Sequence, residues 1–222
     1  MPEPIPLAPG TSESDRLETF CDGVFAIAIT LLVLEIKVPT AERVHAEGGL
    51  LPALAALWPS YVGYLIGFFT IGIMWTNHHA IFLHVRRTDR YFLLINVLFL
   101  LFIAFIPFPT AVLAEYLPEP AERRGAVMLY SATMVLMALA YNAVWRYAVW
   151  GGRLLAPDAD RVAVRTISRR YAVGPFAYFA TLLLAIVSPW ASLTLHGLLA
   201  ILYLLPERRP DEPRDRALSS AA

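Results

Sequence analysis

The chain has 222 residues, 58% of them hydrophobic and 16% charged, and its 18 basic side chains are balanced by 18 acidic ones. The apolar residues form long unbroken runs, a membrane composition that no single soluble core accounts for. One cysteine, Cys21, excludes an internal disulfide.

A bilayer core of about 30 Å needs about 20 apolar residues per crossing helix. Six spans follow in chain order: 17–37, 56–82, 91–114, 126–150, 171–188 and 190–205. The first carries no basic leader and is too long for a signal core, so it is expected to be retained. The second holds Gly63 and Gly67 in a GxxxG spacing suited to close helix packing. Pro107 and Pro109 are expected to end or bend the third. Asn142 and Arg146, near the inner end of the fourth, read as an interhelical hydrogen bond and a snorkelling anchor. The last two spans are short and meet at "VSPW" (187–190). Residues 1–15 are expected to be an N-terminal tail, 16–206 a six-helix membrane domain, and 207–222 a disordered tail of mixed charge.

Of the 18 basic residues, only Lys37, Arg43, Arg123 and Arg124 fall in segments assigned outside. Basic residues favour the cytoplasmic side, so both termini are expected inside and the number of crossings even. The arginine-rich inner loops lack interleaved aromatics and read as topology determinants, with no nucleic-acid partner expected. No phosphate-cradling glycine loop, CxxC pair or GxSxG elbow occurs.

In helical projection Thr30, Leu31 and Leu34 each lie within roughly 60° of Ile27, a single stripe. Phe20, Gly23 and Arg16 continue it toward the inner end, and Asp22 falls nearly opposite. An ionised carboxylate facing lipid costs at least a few kcal/mol, so Asp22 must face protein or water. The second span ends in "MWTNHHAIF" (74–82), at about the depth of Asp22, with Trp75, His78, His79 and Phe82 read as one face. These residues predict a structural polar cluster: Asp22 with His78 or His79 and Trp75, braced by Asn77 and Arg16. Adjacent histidines project about 100° apart. They do not reach one ion easily, and no metal site is expected.

"RLETFCDGVFAIAIT" (16–30) resembles the R-x-x-x-F-S-D motif that opens the first helix of the transmembrane protein 175 family of potassium channels. Arg16, Phe20 and Asp22 match, and Cys21 stands where the motif has serine. The likeness extends to "WTNHH" (75–79), to the six-span layout and to the chain length of prokaryotic members. It implies an all-α polytopic membrane protein in the bacterial inner membrane, not an enzyme, needing no cofactor beyond K+ or other monovalent cations as permeant ions. Animal members carry two copies of the unit and this chain has one, which implies a homotetramer in the lipid bilayer with first helices around a central pore. Carried over by position, Ile27, Leu31 and Leu34 become the pore constriction and Thr30 the selectivity layer, while Arg16, Phe20, Cys21 and Asp22 of the motif join Trp75, Asn77, His78 and His79 in the structural polar cluster. The alternative is a proton-coupled secondary transporter using Asp22 and His78 or His79. Against it stand the absence of an inverted repeat and of glycine-broken helices at mid-membrane.

Overall fold

The computed structural model describes residues 13–156 and 159–204, so the expected tail at 207–222 and most of that at 1–15 lie outside the described residues. Among the described residues the chain forms nine α-helices and one isolated antiparallel bridge. α1 (Glu13–Leu31) tightens into a 3-10 turn over Leu32–Glu35. Thr40 caps α2 (Ala41–Ala46) by accepting the Arg43 amide at 3.3 Å. Gly48 and Gly49, at φ of 79° and 142°, then turn the chain into α3 (Leu50–Ala55). α4 (Trp58–Phe82) follows with proline in its first turn, where a missing amide hydrogen costs nothing.

α5 (Arg90–Phe105) stops just before Pro107, which opens α6 (Pro107–Tyr116). Pro107 has no amide hydrogen to continue the ladder, so the expected break falls there. α7 (Arg123–Val149) is the hub, packing against α5, α6, α8 (Arg161–Val187) and α9 (Pro189–Leu204). Its Tyr130, Met134, Met137, Val144 and Trp145 are buried. The break between α8 and α9 falls at Ser188, within the expected "VSPW". α8 begins at Arg161, well before the expected 171, because Asp160 caps it by accepting the Val162 amide at 2.7 Å. Asn142 bonds within α7, its amide donating to the Ala138 carbonyl at 3.0 Å, in place of the expected interhelical partner.

Four stretches are long and apolar enough to cross a membrane: Ser14–Glu35, Arg90–Tyr116, Arg123–Gly152 and Val164–Val187. α9 is a shorter apolar helix. α4 has 25 residues but is diluted by glycines, Asn77, His78 and His79, and is not among the four.

In lipid, helices associate through close packing and hydrogen bonds, with little hydrophobic drive between them. Gly63 and Gly67 supply the packing: a Cβ on Gly63 would stand 3.3 Å from Thr110 Cγ2, and one on Gly67 3.2 Å from both Leu32 methyls. Hydrogen bonds tie α7 to α9 and α9 to α8. Ser131 Oγ lies 3.0 Å from His196 Nε2 and 3.3 Å from Ser192 Oγ, whose hydroxyl donates to the Thr181 carbonyl at 2.8 Å.

The loops after α4 and α7 clasp one another. Val85 bridges to Leu155, the Arg86 amide donates to the Leu154 carbonyl at 2.9 Å, and the Ala156 amide to the His84 carbonyl at 3.1 Å. Asp89 locks the clasp by accepting the Phe92 amide and the Tyr147 hydroxyl, each at 2.8 Å. The amide bond holds the Asp89 carboxyl below its ordinary value. The stabilisation is therefore present above that ordinary value and is lost as pH falls through the lowered one.

Overpacking a tight helix contact costs about 1–3 kcal/mol. Gly67→Leu is expected to destabilise the fold on that scale and so lower the melting temperature in detergent, and Gly67→Ala to do so much less, because the Leu32 methyls are side-chain ends that yield a few tenths of an ångström. Thermal unfolding of the two variants side by side checks the ordering.

Candidate functional site

α1 has two unlike sides. Leu17, Cys21, Phe25, Ala28 and Leu32 are buried against the rest of the protomer. The other side is uncovered: Phe20 is 57% exposed, Ile27 62%, Leu31 41% and Leu34 62%, with Arg16, Gly23 and Thr30 also exposed. The four residues of the aliphatic stripe thus share one surface left exposed among the described residues. The Thr30 hydroxyl sits 2.9 Å from the Ile27 carbonyl and 3.0 Å from the Ala26 carbonyl. Its hydrogen is spent on its own helix, leaving oxygen lone pairs as the polarity it offers outward.

Between the two sides runs a ladder to α4. Trp75 Nε1 donates to Asp22 Oδ1 at 2.9 Å, and one turn below, His79 Nδ1 lies 2.7 Å from Glu18 Oε1. Trp75 and His79 stack at 6.4 Å between ring centroids. Glu18 and Asp22 are four residues apart, as are Trp75 and His79, so two antiparallel helices present matching rungs. The second rung becomes an ion pair when the imidazole is protonated.

The predicted cluster is therefore divided. Asp22 meets Trp75, but His79 goes to Glu18 and not to Asp22. His78 points elsewhere: it is fully buried, with Nε2 3.0 Å from Asn96 Oδ1 and the rings of Phe25, Phe82 and Phe99 at 5.5, 5.0 and 5.5 Å. The Asn96 amide nitrogen already donates to the Phe92 carbonyl at 2.8 Å, so its oxygen faces His78 and Nε2 must carry the hydrogen. Asn77 contributes its backbone carbonyl, which accepts the Tyr141 hydroxyl at 3.0 Å. Cys21 lies in the apolar core, where a thiol fits better than a hydroxyl lacking a partner. Phe20 belongs to the uncovered stripe. Arg16 makes no contact with Asp22 among the described residues and instead lines a crevice with Phe20, Thr88 and Leu93.

The reason for the split is angular. Trp75, His78, His79 and Phe82 span about 100° of α4, wide enough to straddle two neighbours. Trp75 and His79 form the column toward α1, and His78 and Phe82 the column toward α5. Glu18 and Asn96 were the partners missed, and the Glu18/Asp22 spacing opposite Trp75/His79 was the signal for the first. Glu35, at the end of the 3-10 turn after α1, is turned toward Lys37 at 3.8 Å. Among the described residues no group of three or more His, Cys, Asp or Glu is placed to hold a metal ion.

Residues 16–107 match the family model described as endosomal/lysosomal potassium channel TMEM175. A potassium channel of Streptomyces collinus is 49% identical over 192 residues, 86% of this chain and 92% of that protein. The crystal structure of a lysosomal potassium-selective channel TMEM175 homolog from Chamaesiphon minutus superposes with a TM-score of 0.80 at 43% identity, covering 87% of this chain and 97% of the other. The endosomal/lysosomal proton channel TMEM175 of Bos taurus is 34% identical over 151 residues, 65% of this chain and 32% of that protein.

Interhelical hydrogen bonds in membrane proteins contribute about 0.6 kcal/mol on average and at most about 1.7. Trp75→Phe, which removes the donor together with part of the ring that stacks on His79, is expected to destabilise by about 1 kcal/mol on that scale. Asp22→Asn keeps an acceptor for Trp75 and is expected to cost less than Asp22→Leu. Thermal unfolding in detergent reads the order, and equal losses for the two Asp22 variants would show that the Trp75 bond does not matter.

Proposed function

The chain belongs to the TMEM175 family, and from that premise we propose that it forms a potassium-permeable channel of the bacterial inner membrane, four copies of α1 lining one central pore. The observation that carries this reading is the uncovered stripe of Ile27, Thr30, Leu31 and Leu34. A side of α1 that its own protomer leaves bare, beside a ladder that fixes which side that is, suits a helix shared around an axis. Six spans per chain are part of the proposal: α1, α4, the α5–α6 pair, α7, α8 and α9, with both termini cytoplasmic. The potassium channel of Streptomyces collinus, matched over nearly its whole length, supports K+ as the permeant ion, with other monovalent cations less favoured.

In this pore Ile27, Leu31 and Leu34 form the constriction. An aliphatic ring controls conduction by wetting and by diameter: narrow it dewets, slightly wider it passes ions with part of their hydration shell. Thr30 stands between the Ile27 and Leu31 layers, where its outward lone pairs replace part of the lost water. Ions that shed water more readily gain most, which favours K+ over Na+. Asp22, Trp75, Glu18 and His79 act behind the pore by holding α1 in rotation.

A proton-coupled transporter needs a connected relay, and the geometry offers two separate pairs with His78 turned to Asn96 instead. That separation favours the channel.

Ion flux into liposomes under a K+ gradient tests the pore. A barrier lowered by about 1.4 kcal/mol raises flux about tenfold, and Ile27→Asn is expected to act on that scale while reducing K+ over Na+ preference. Flux and selectivity both unchanged in Ile27→Asn would overturn the assignment. Thr30→Ala is expected to erode selectivity more than rate, read as the shift in reversal potential between K+ and Na+ gradients.

A further inference from the structure

The segment 161–170 reads as a loop in a scan for apolar runs, but it is the start of α8. Helicity orders its charges. Arg161, Arg165 and Arg169 recur every four residues on one exposed face, with Arg170 beside them. Four residues of helix rise about 6 Å, so successive guanidinium groups stand within reach of one phosphodiester. Next to them is a hollow of about 410 Å³, walled by Gly151, Gly152, Leu155, Val164, Arg161 and Arg165. Gly151 and Gly152, at φ of 67° and 68°, keep that wall low, because other residues rarely adopt this backbone.

Among the described residues the charges at the hollow are Arg161 and Arg165, which line it, against Asp160 at the helix cap. The Asp160 carboxylate is committed to the Val162 amide at 2.7 Å. Among the described residues the ion pairs are Lys37–Glu35 and His79–Glu18, and neither Arg161 nor Arg165 has one. Depth is marked independently. Trp150, 67% exposed, and Tyr147 lie at the same end of α7, with the Arg153 guanidinium 5.2 Å and 6.0 Å from their rings. Such aromatics sit at the level of lipid headgroups. One further turn along α8, Val173 and Phe176 are exposed apolar residues, the surface an acyl chain would cover.

We propose that this hollow is a binding site for the headgroup of an anionic phospholipid of the inner leaflet, its phosphate held by Arg161 and Arg165 and its chains lying along Val173 and Phe176. A soluble phosphate would use the arginines alone; the adjoining apolar track selects an amphiphile. The site rests on the membrane placement of the chain and not on the pore.

The test is lipid retention by the purified full-length protein, measured by native mass spectrometry after exchange into mixed phosphatidylcholine and phosphatidylglycerol, together with the thermal shift that each lipid produces. A basic side chain near an anionic surface strengthens attachment about fivefold. Arg161→Gln/Arg165→Gln is therefore expected to weaken phosphatidylglycerol retention roughly 25-fold, with melting in phosphatidylcholine alone unchanged. Arg86→Gln/Arg87→Gln, which removes the same charge from the neighbouring clasped loop but outside the lining of the hollow, is expected to leave retention near wild type. Should the double variant not fold, Arg165→Gln alone reads the same effect at about fivefold. Equal weakening by the Arg86/Arg87 pair would reduce the site to diffuse surface charge and overturn it. So would protection by inorganic phosphate equal to that by the lipid, or unchanged retention in the variants. Ion flux plays no part in the readout, so this site and the pore fail or stand separately.

Discussion

The rest of the molecule depends on how a carboxylate is carried into a membrane. Asp22 lies about six residues, or roughly 9 Å, beyond Arg16, and an ionised side chain at such depth is tolerated only where protein or water receives it. Trp75 receives one oxygen. Glu18, one turn earlier, is received by His79. Neither bond is strong, but together they fix the rotation of α1, because turning the helix would break both rungs and carry two acids toward lipid. The aliphatic stripe is then left on the opposite flank by exclusion. Polarity here decides orientation more than it supplies stability.

One turn of α4 distributes this constraint through the protomer. Successive residues of a helix point about 100° apart, so a short polar run addresses several neighbours at once. Trp75 and His79 reach α1, His78 reaches Asn96 on α5, and the Asn77 carbonyl receives Tyr141 from α7. Three helices meet a single polar segment, each by one or two hydrogen bonds. The glycines of the preceding turns then let Leu32 and Thr110 close on α4, so its N-terminal half is held by contact and its C-terminal half by hydrogen bonding.

Much of this was legible in the sequence because membrane helices announce themselves by length and period. The stripe at Ile27, Thr30, Leu31 and Leu34 follows from 3.6-residue periodicity alone, and the breaks at Pro107 and Ser188 from the chemistry of proline. Which residue pairs with which was less legible. Trp75, His78, His79 and Phe82 look like one face until two neighbouring helices divide them, and a projection of α4 alone does not show where the neighbours stand. Cys21 was counted among polar residues through its place in the motif, although the projection puts it one residue from Asp22, hence about 100° away and toward the core. The start of α8 escaped for a different reason: hydropathy ends where arginines begin, while the helix, capped by Asp160, does not.

Keeping the polar groups behind α1 and the aliphatic groups in front also bears on what a shared axis would conduct. If Asp22 faced the pore, four carboxylates would bind cations tightly and slow their exit, since conduction needs binding weak enough to leave. An aliphatic ring binds nothing, so its selectivity must come from what lies next to it. Thr30 is suited to that place because its hydrogen is held by the Ile27 and Ala26 carbonyls. A hydroxyl free to rotate offers a donor to anions and an acceptor to cations alike, whereas one whose hydrogen is tied to its own helix offers only lone pairs. In the proposed pore the helix backbone would thus make a neutral side chain favour one sign of charge, and a layer of four such oxygens would discriminate without trapping the ion.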